Sequence, residues 1–325
     1  MTGAGPITKG TFGLGTFANG DEQGFPGLVV AERVLDLRGP LGAQATTMTL
    51  LTDWERSLER LAQLADAGVN SADELSDLRP LPPVRPRQVL CAGANYFNHV
   101  RQIVYNQTRL EGDERSEAEL RAYVEEMVQR RATTEPFLFS ALPTALCGAN
   151  DDVVLWGPGT CHDWELELAV VISRSGRDIP ECEAMAYVAG YTISNDVSTR
   201  DVMNRPGFPM TDFLASKCRP TFFPTGPYLV PRQFVADPRA LTVTLRVNDE
   251  VMQNEGVDDI IYGVERLISY ASSIVTLQAG DLLLTGSPAG NAGHHGNRWL
   301  RPGDLMEGEI TGLGVQRNRC VAPAR

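Results

Sequence analysis

The stretch Asp163-Trp164-Glu165-Leu166-Glu167-Leu168-Ala169-Val170-Val171-Ile172 fixes how this chain is to be read. Its apolar and β-branched residues predict a strand, on which alternate side chains share a face. Trp164, Leu166 and Leu168 then point one way, and Glu165 and Glu167 the other. Two carboxylates on one face of an otherwise apolar strand repel each other and are costly to desolvate. A hard divalent cation removes that cost, since Mg²⁺, Mn²⁺ and Ca²⁺ all take carboxylate oxygen. Taken alone, the pair is better explained by a solvent-facing edge strand with hydrated acids.

Downstream, Ile193-Ser194-Asn195-Asp196-Val197-Ser198-Thr199-Arg200-Asp201 again follows an apolar strand. Asp196 offers a third carboxylate and Arg200 a cation beside it; a turn closed by a structural salt bridge explains the same residues. Around these motifs the chain is rich in short strands: DDVVLW, VAGYTISNDVS, TFFPTGPYLV, LTVTLRVND and DLLLTGS. One long helix is predicted over DDIIYGVERLISYASSIVTL, with an apolar stripe of Ile260, Ile261, Val264, Leu267, Ile268 and Ala271. Many strands with few helices predict a β-rich α+β fold, not a doubly wound parallel sheet.

Toward the N-terminus, TFGLGTFA, FPGLVV and RVLDL read as a small β meander. A capping box from Thr52 to Glu55 predicts a helix carrying Trp54, Leu58, Leu61 and Leu64, with Gly68 as its stop. Pro80, Pro82, Pro83 and Pro86 then mark a linker. Residues 1–80 are therefore expected to form a small β-rich domain with one helix, and 85–322 a second, larger domain. Residues 100–134 form a polar insertion after CAGANYFNH, with a helix predicted from the capping box Ser116 to Glu119. That segment is either a surface helix or a mobile lid, since it follows a candidate catalytic His99.

Against 29 Lys and Arg stand 41 Asp and Glu, a net charge of −12. Nucleic acid and anionic membranes, which need a basic footprint, are not expected partners. A small anionic substrate is compatible, because screening confines such fields to about 8 Å at physiological salt. The six cysteines form no CxxC pair, no signal-peptide pattern opens the chain, and no apolar run is long enough for a membrane span. The expected setting is the cytoplasm.

DWELELAVVI, YTISNDVSTRD, the lysine ahead of TFFPTGP, and GDLLLTGSPAG occur in the order seen in the fumarylacetoacetate hydrolase superfamily, which the chain resembles over residues 85–322. CAGANYFNH resembles the segment bearing that family's catalytic His, and GLGVQRNRCV its closing strand. The resemblance implies a mixed β-sheet/β-roll catalytic domain with a small β-rich leader. It makes Glu165, Glu167 and Asp196 the ligands of one divalent ion, Mg²⁺ or Mn²⁺, with Ca²⁺ compatible. It places Lys217 and Arg200 beside metal and substrate, Thr285 and Tyr96 on the substrate, and His99 as the base that activates water.

The implied activity is hydrolysis of a C–C bond in an acylpyruvate such as fumarylpyruvate or maleylpyruvate. The alternatives are a lyase, decarboxylase or isomerase of a related 2-keto acid, or a binding protein without turnover. A small anionic keto acid is the expected partner and a homodimer the expected assembly. Two features depart from the family. Position 102, where a Glu commonly partners the His, is Gln, and Ala141 stands where many members carry Lys. The acid that orients His99 is then sought in the insertion, at Glu114, Glu117 or Glu135. Of the remaining histidines, His162 lacks a metal-ligand partner pattern, and His294 and His295 are secondary candidates at the pocket mouth.

Overall fold

The computed structural model describes residues 10–20, 24–69, 72–110, 112–204, 207 and 210–324. Leu166–Ile172 is buried along its whole length. It lies inside a six-stranded mixed sheet ordered Val230–Pro231, Val188–Asn195, Leu166–Ile172, Leu282–Leu284, Val89–Gly93 and Phe137–Ala141. An interior strand covered on both faces needs apolar residues at nearly every position, and this one has them. Leu282–Leu284 runs parallel to Val89–Gly93, and the other pairings are antiparallel.

A five-stranded sheet, ordered Glu250–Gly256, Thr242–Val247, Leu305–Ile310, Gly314–Val321 and Val153–Val154, lies against the first. The close approach requires Gly308, because a Cβ there would meet Leu166 Cδ1 at 2.6 Å. Buried Gln253 ties the layers together by accepting the Leu166 N–H at 3.0 Å. The fold is sheet-rich α+β, as the strand count predicts.

The N-terminal meander forms a third sheet, five antiparallel strands ordered Asp73–Glu74, Arg33–Asp36, Phe25–Val30, Gly13–Ala18 and Arg79–Leu81. Pro80 therefore belongs to an edge strand, where a missing N–H is tolerated, and not to a linker. Leu14 and Leu229 exchange both backbone hydrogen bonds at 2.8 Å, and Phe12 packs edge-on against Phe234 with ring centroids 4.9 Å apart. One continuous apolar core runs from this sheet into the larger ones.

Three helix expectations change. Trp54–Ala67 starts at Asp53 without a side-chain cap, and a capping box forms instead on a separate short helix before it, Thr47–Leu51, between Thr46 and Thr49. Gly68, with φ +86°, ends the helix as expected. The helix expected from Asp258 is shorter, Val264–Ile274, because the chain first makes a tight turn at Val257–Asp259 and the helix opens only after Gly263. The insertion holds two helices instead of one: Phe97–Leu110 precedes Glu117–Ala132, whose Ser116–Glu119 capping box is formed. The pair shares a small core of Val100, Leu120, Val124 and Val128, separate from the main one. No helix among the described residues is long and apolar enough to cross a membrane.

Candidate active site

The antiparallel register Leu166↔Asn195 and Glu167↔Ser194 sets the site. Just past that ladder, the Asp196 N–H donates to the Glu165 carbonyl at 2.9 Å, and Asn195 Oδ1 accepts the Glu165 N–H at 2.9 Å. Two acids close in sequence and a third about thirty residues away thus meet at one end of two central strands. Glu165, Glu167 and Asp196 are all buried, and one oxygen from each lies within 4.8 Å of the others.

Two cations face this cluster. Arg200 donates from Nε to Asp163 Oδ2 at 2.8 Å and from Nη2 to Glu165 Oε1 at 2.7 Å. Lys217, at the end of the short helix Phe213–Lys217, donates from Nζ to Glu165 Oε2, to Asp196 Oδ2 at 2.6 Å and to Ser198 Oγ at 2.8 Å. Burial pushes the Glu165 carboxyl up, but Arg200 and Lys217 outweigh it and hold the group well below the ordinary range. Burial, then Asp196 and Glu165, push Glu167 well above that range, although the Gly286 N–H donates to its Oε2 at 2.8 Å. Burial also pushes Asp196 up to about 6, against the pull of Lys217.

These residues fit a divalent cation. The donor set is all carboxylate oxygen, it holds more negative charge than Lys217 alone balances, and the buried Asp196 Oδ1 has no hydrogen-bond partner among the described residues.

His99, in the first turn of Phe97–Leu110, reaches the same place, with Nε2 at 4.0 Å from Glu165 Oε1. Burial lowers its pKa to about 4, with Glu165 opposing and Arg200 and His294 adding to the fall. The imidazole is therefore neutral near pH 7. Its Nδ1 is buried without a partner among the described residues. The insertion acids do not supply one: Glu117 is bound by Tyr105, Arg109 and Arg121, Glu135 by Arg266, and neither these nor the exposed Glu114 lines the cavity. The carboxylate beside His99 is Glu165.

A cavity of about 190 Å³ brings together His99, Glu165, Glu167, Asp196, Arg200 and Lys217. Tyr96 and Thr285 are not on its wall. Both are fully buried, and their hydroxyls face each other at 3.4 Å. Ser287, two residues on, lines the cavity instead. Gln102 and Ala141 do not line it either; Ala141 is buried opposite Val89 in the sheet. His162 bonds Thr199 Oγ1 at 3.0 Å, and His295 the Met252 carbonyl at 2.9 Å, both structural contacts. His294 accepts the Gly290 N–H at 3.2 Å and stands outside the lining.

Sequence reasoning missed Asp163 and Ser198, although both lie inside the quoted motifs. It also missed an aromatic group, Phe137, Phe139 and Phe213, that lines the same cavity. The alternation Phe137-Leu138-Phe139 was the available signal, since residues two apart on a strand share a face.

The family model for the C-terminal domain of fumarylacetoacetate hydrolase matches residues 88–321. The mitochondrial oxaloacetate tautomerase FAHD2A of Bos taurus is 36% identical over 267 residues, covering 82% of this chain and 76% of that protein. The 2,4-didehydro-3-deoxy-L-rhamnonate hydrolase of a Sphingomonas species is 42% identical over 190 residues, 57% of this chain and 65% of that protein. The solved fumarylacetoacetate hydrolase of Exiguobacterium antarcticum superimposes with a TM-score of 0.73 at 25% identity, over 96% of this chain and 100% of that one. The matched segment contains every residue that frames the cavity, and the chain belongs to the fumarylacetoacetate hydrolase family.

Proposed function

We propose that this chain is a Mg²⁺- or Mn²⁺-dependent hydrolase that cleaves the C–C bond of an acylpyruvate. One observation carries the reading: a neutral, buried His99 stands over three converging carboxylates inside one small cavity. In the balanced reaction water adds to the distal carbonyl and the bond from that carbon to the adjacent methylene breaks. The acyl group leaves as a carboxylic acid, and the methylene takes a proton to give pyruvate. A cation held by Glu165, Glu167 and Asp196 would supply Lewis acidity toward the keto and carboxylate oxygens of the pyruvate half.

The chain's own residues support the other requirements. His99 is unprotonated at neutral pH and so able to take a proton from water. Arg200 and Lys217 stay protonated, because Glu165 with Asp163, and Asp196 with Glu165, outweigh their burial; they offset negative charge that builds at the pyruvate end. The helix Phe97–Leu110 places His99 and Ile103 on the cavity lining.

A second reading, a tautomerase or lyase of a 2-keto acid, is favoured by the 36% identity to an oxaloacetate tautomerase and by His99 Nδ1 having no partner among the described residues. Such a reaction moves a proton between carbon and oxygen and needs no attacking water. The test is pyruvate release from a panel of acylpyruvates, run beside the ultraviolet change of oxaloacetate enol–keto conversion, with Mn²⁺ and with chelator. Metal-dependent pyruvate release supports hydrolysis. Tautomer conversion without any pyruvate release overturns it.

A further inference from the structure

Resting on the acylpyruvate reading, we infer that the acyl end of the substrate is uncharged and apolar, an aryl or branched-alkyl group, and not the second carboxylate of a fumaryl or maleyl chain. The cavity lining has two unlike sets of side chains. One set is the carboxylates, Arg200, Lys217 and His99; the other is Phe137, Phe139, Phe213, Ile103 and Met203.

The apolar wall is built as a surface for a flat or branched group. Phe137 and Phe139 share one face of the edge strand Phe137–Ala141, and Phe213 closes on them from the short helix. The Phe139 and Phe213 rings stack at 4.4 Å with an 11° tilt, and the Phe137 ring centroid lies 5.9 Å from that of Phe213. Gly93 makes room for this, since a Cβ there would stand 2.7 Å from Phe137 Cδ1. Phe137 is nevertheless 49% exposed and Ile103 40%. Large apolar side chains left open on the wall of a small cavity are suited to an apolar ligand. Phe213 and Lys217 sit one helical turn apart on the same face, and Lys217 Nζ lies 5.4 Å from the Phe139 centroid. The charged and apolar halves are thus joined as the two ends of one site.

Charge complementarity among the described lining residues disfavours a second carboxylate here. Among the described lining residues the only permanent cations are Arg200 and Lys217. Arg200 donates to Asp163 and Glu165, and the three Nζ donors of Lys217 all have acceptors in Glu165, Asp196 and Ser198. A distal carboxylate would face three phenyl rings, and the described lining offers it no cation beyond the two already engaged by the carboxylate cluster, so its charge is disfavoured there.

The test compares kcat/KM of the Mn²⁺-loaded protein for acetylpyruvate, isovalerylpyruvate, benzoylpyruvate and fumarylpyruvate, with Phe137→Ala and Phe137→Arg alongside. Benzoylpyruvate or isovalerylpyruvate should exceed fumarylpyruvate by at least about tenfold. Phe137→Ala should lower the benzoyl-to-acetyl ratio by about tenfold, and Phe137→Arg should move the preference toward fumarylpyruvate. Because Phe137 is half exposed, both variants are expected to fold, which circular dichroism checks. Turnover of acetylpyruvate with fumarylpyruvate equal or preferred overturns the acyl assignment alone. No turnover of any of the four overturns the acylpyruvate reading itself, and this inference with it. A change in oligomeric state in Phe137→Ala with the substrate ratios unmoved makes the wall a subunit interface and also overturns the inference.

Discussion

Lys217→Met removes the ammonium that Glu165 and Asp196 share while keeping most of the side-chain volume. Lys217 is 3% exposed, so solvent does little to screen the loss. Removing one partner of a buried ion pair costs about 3–5 kcal/mol. Unfolding entropy of about 2.1 cal/mol/K per residue over 325 residues gives about 0.7 kcal/mol/K, so the chelated variant should melt about 4–7 °C lower. Saturating Mn²⁺ should restore most of that deficit, because a cation on the triad takes over the compensation. The variant should also bind Mn²⁺ more tightly than the wild type, since no ammonium repels it.

The pH dependence follows the same logic. Without Lys217 the Glu167 and Asp196 carboxyls rise further above their unfolded values, so the folded variant binds protons that the unfolded chain does not. Its stability therefore recovers as pH falls from mildly alkaline toward the region of about 6 already reached by Asp196. Differential scanning calorimetry with chelator and with Mn²⁺, across pH, checks each point. A chelated variant that melts with the wild type, or a deficit undiminished by Mn²⁺, would refute the shared-cation account.

Four further outcomes are expected. Loss of even an outer partner of a metal site weakens binding by about 10–100-fold, so Glu167→Gln should lose at least that much Mn²⁺ affinity by isothermal calorimetry; unchanged affinity removes Glu167 from the triad. His99→Ala should lower kcat by about two to four orders of magnitude with Mn²⁺ affinity retained, and a near-normal rate would dismiss His99 as base. Because burial lowers His99 to about 4 from 6.5, the folded state binds fewer protons across that window and loses stability on acidification through it. His99→Gln should flatten this slope in urea titrations, and an unaltered slope would place it elsewhere. Proteolysis within residues 100–134 should slow when Mn²⁺ and oxalate are added together, and equal rates in both states would make the helix pair a fixed surface element.

The carboxylate cluster was legible because its members sit on strands whose apolar runs are unambiguous. Once Leu166–Ile172 and Val188–Asn195 are paired, Glu165, Glu167 and Asp196 have nowhere to go but together. What was not legible depends on direction and distance in space. Tyr96 and Thr285 lie in the right motifs, yet Tyr96 is bridged to Ile260 and turned toward Thr285, a choice set by a segment more than a hundred residues away. No helix was expected over Phe97–Leu110 because its apolar stripe is short and packs mainly on its neighbour helix, so no long periodic pattern announces it. The aromatic wall joins a strand to a helix over seventy residues later, and no single window contains it.

The candidate base rides on the helix pair whose small core is separate from the main one. Such a subunit of structure can open on its own, with a free energy below that of global unfolding. On heating, His99 would leave the carboxylates while the three sheets remain intact. Loss of turnover should therefore begin at a lower temperature than the calorimetric transition and reverse on cooling. Engineering for heat tolerance would gain more from filling the space around Val100, Leu120, Val124 and Val128 than from strengthening the already continuous sheet core.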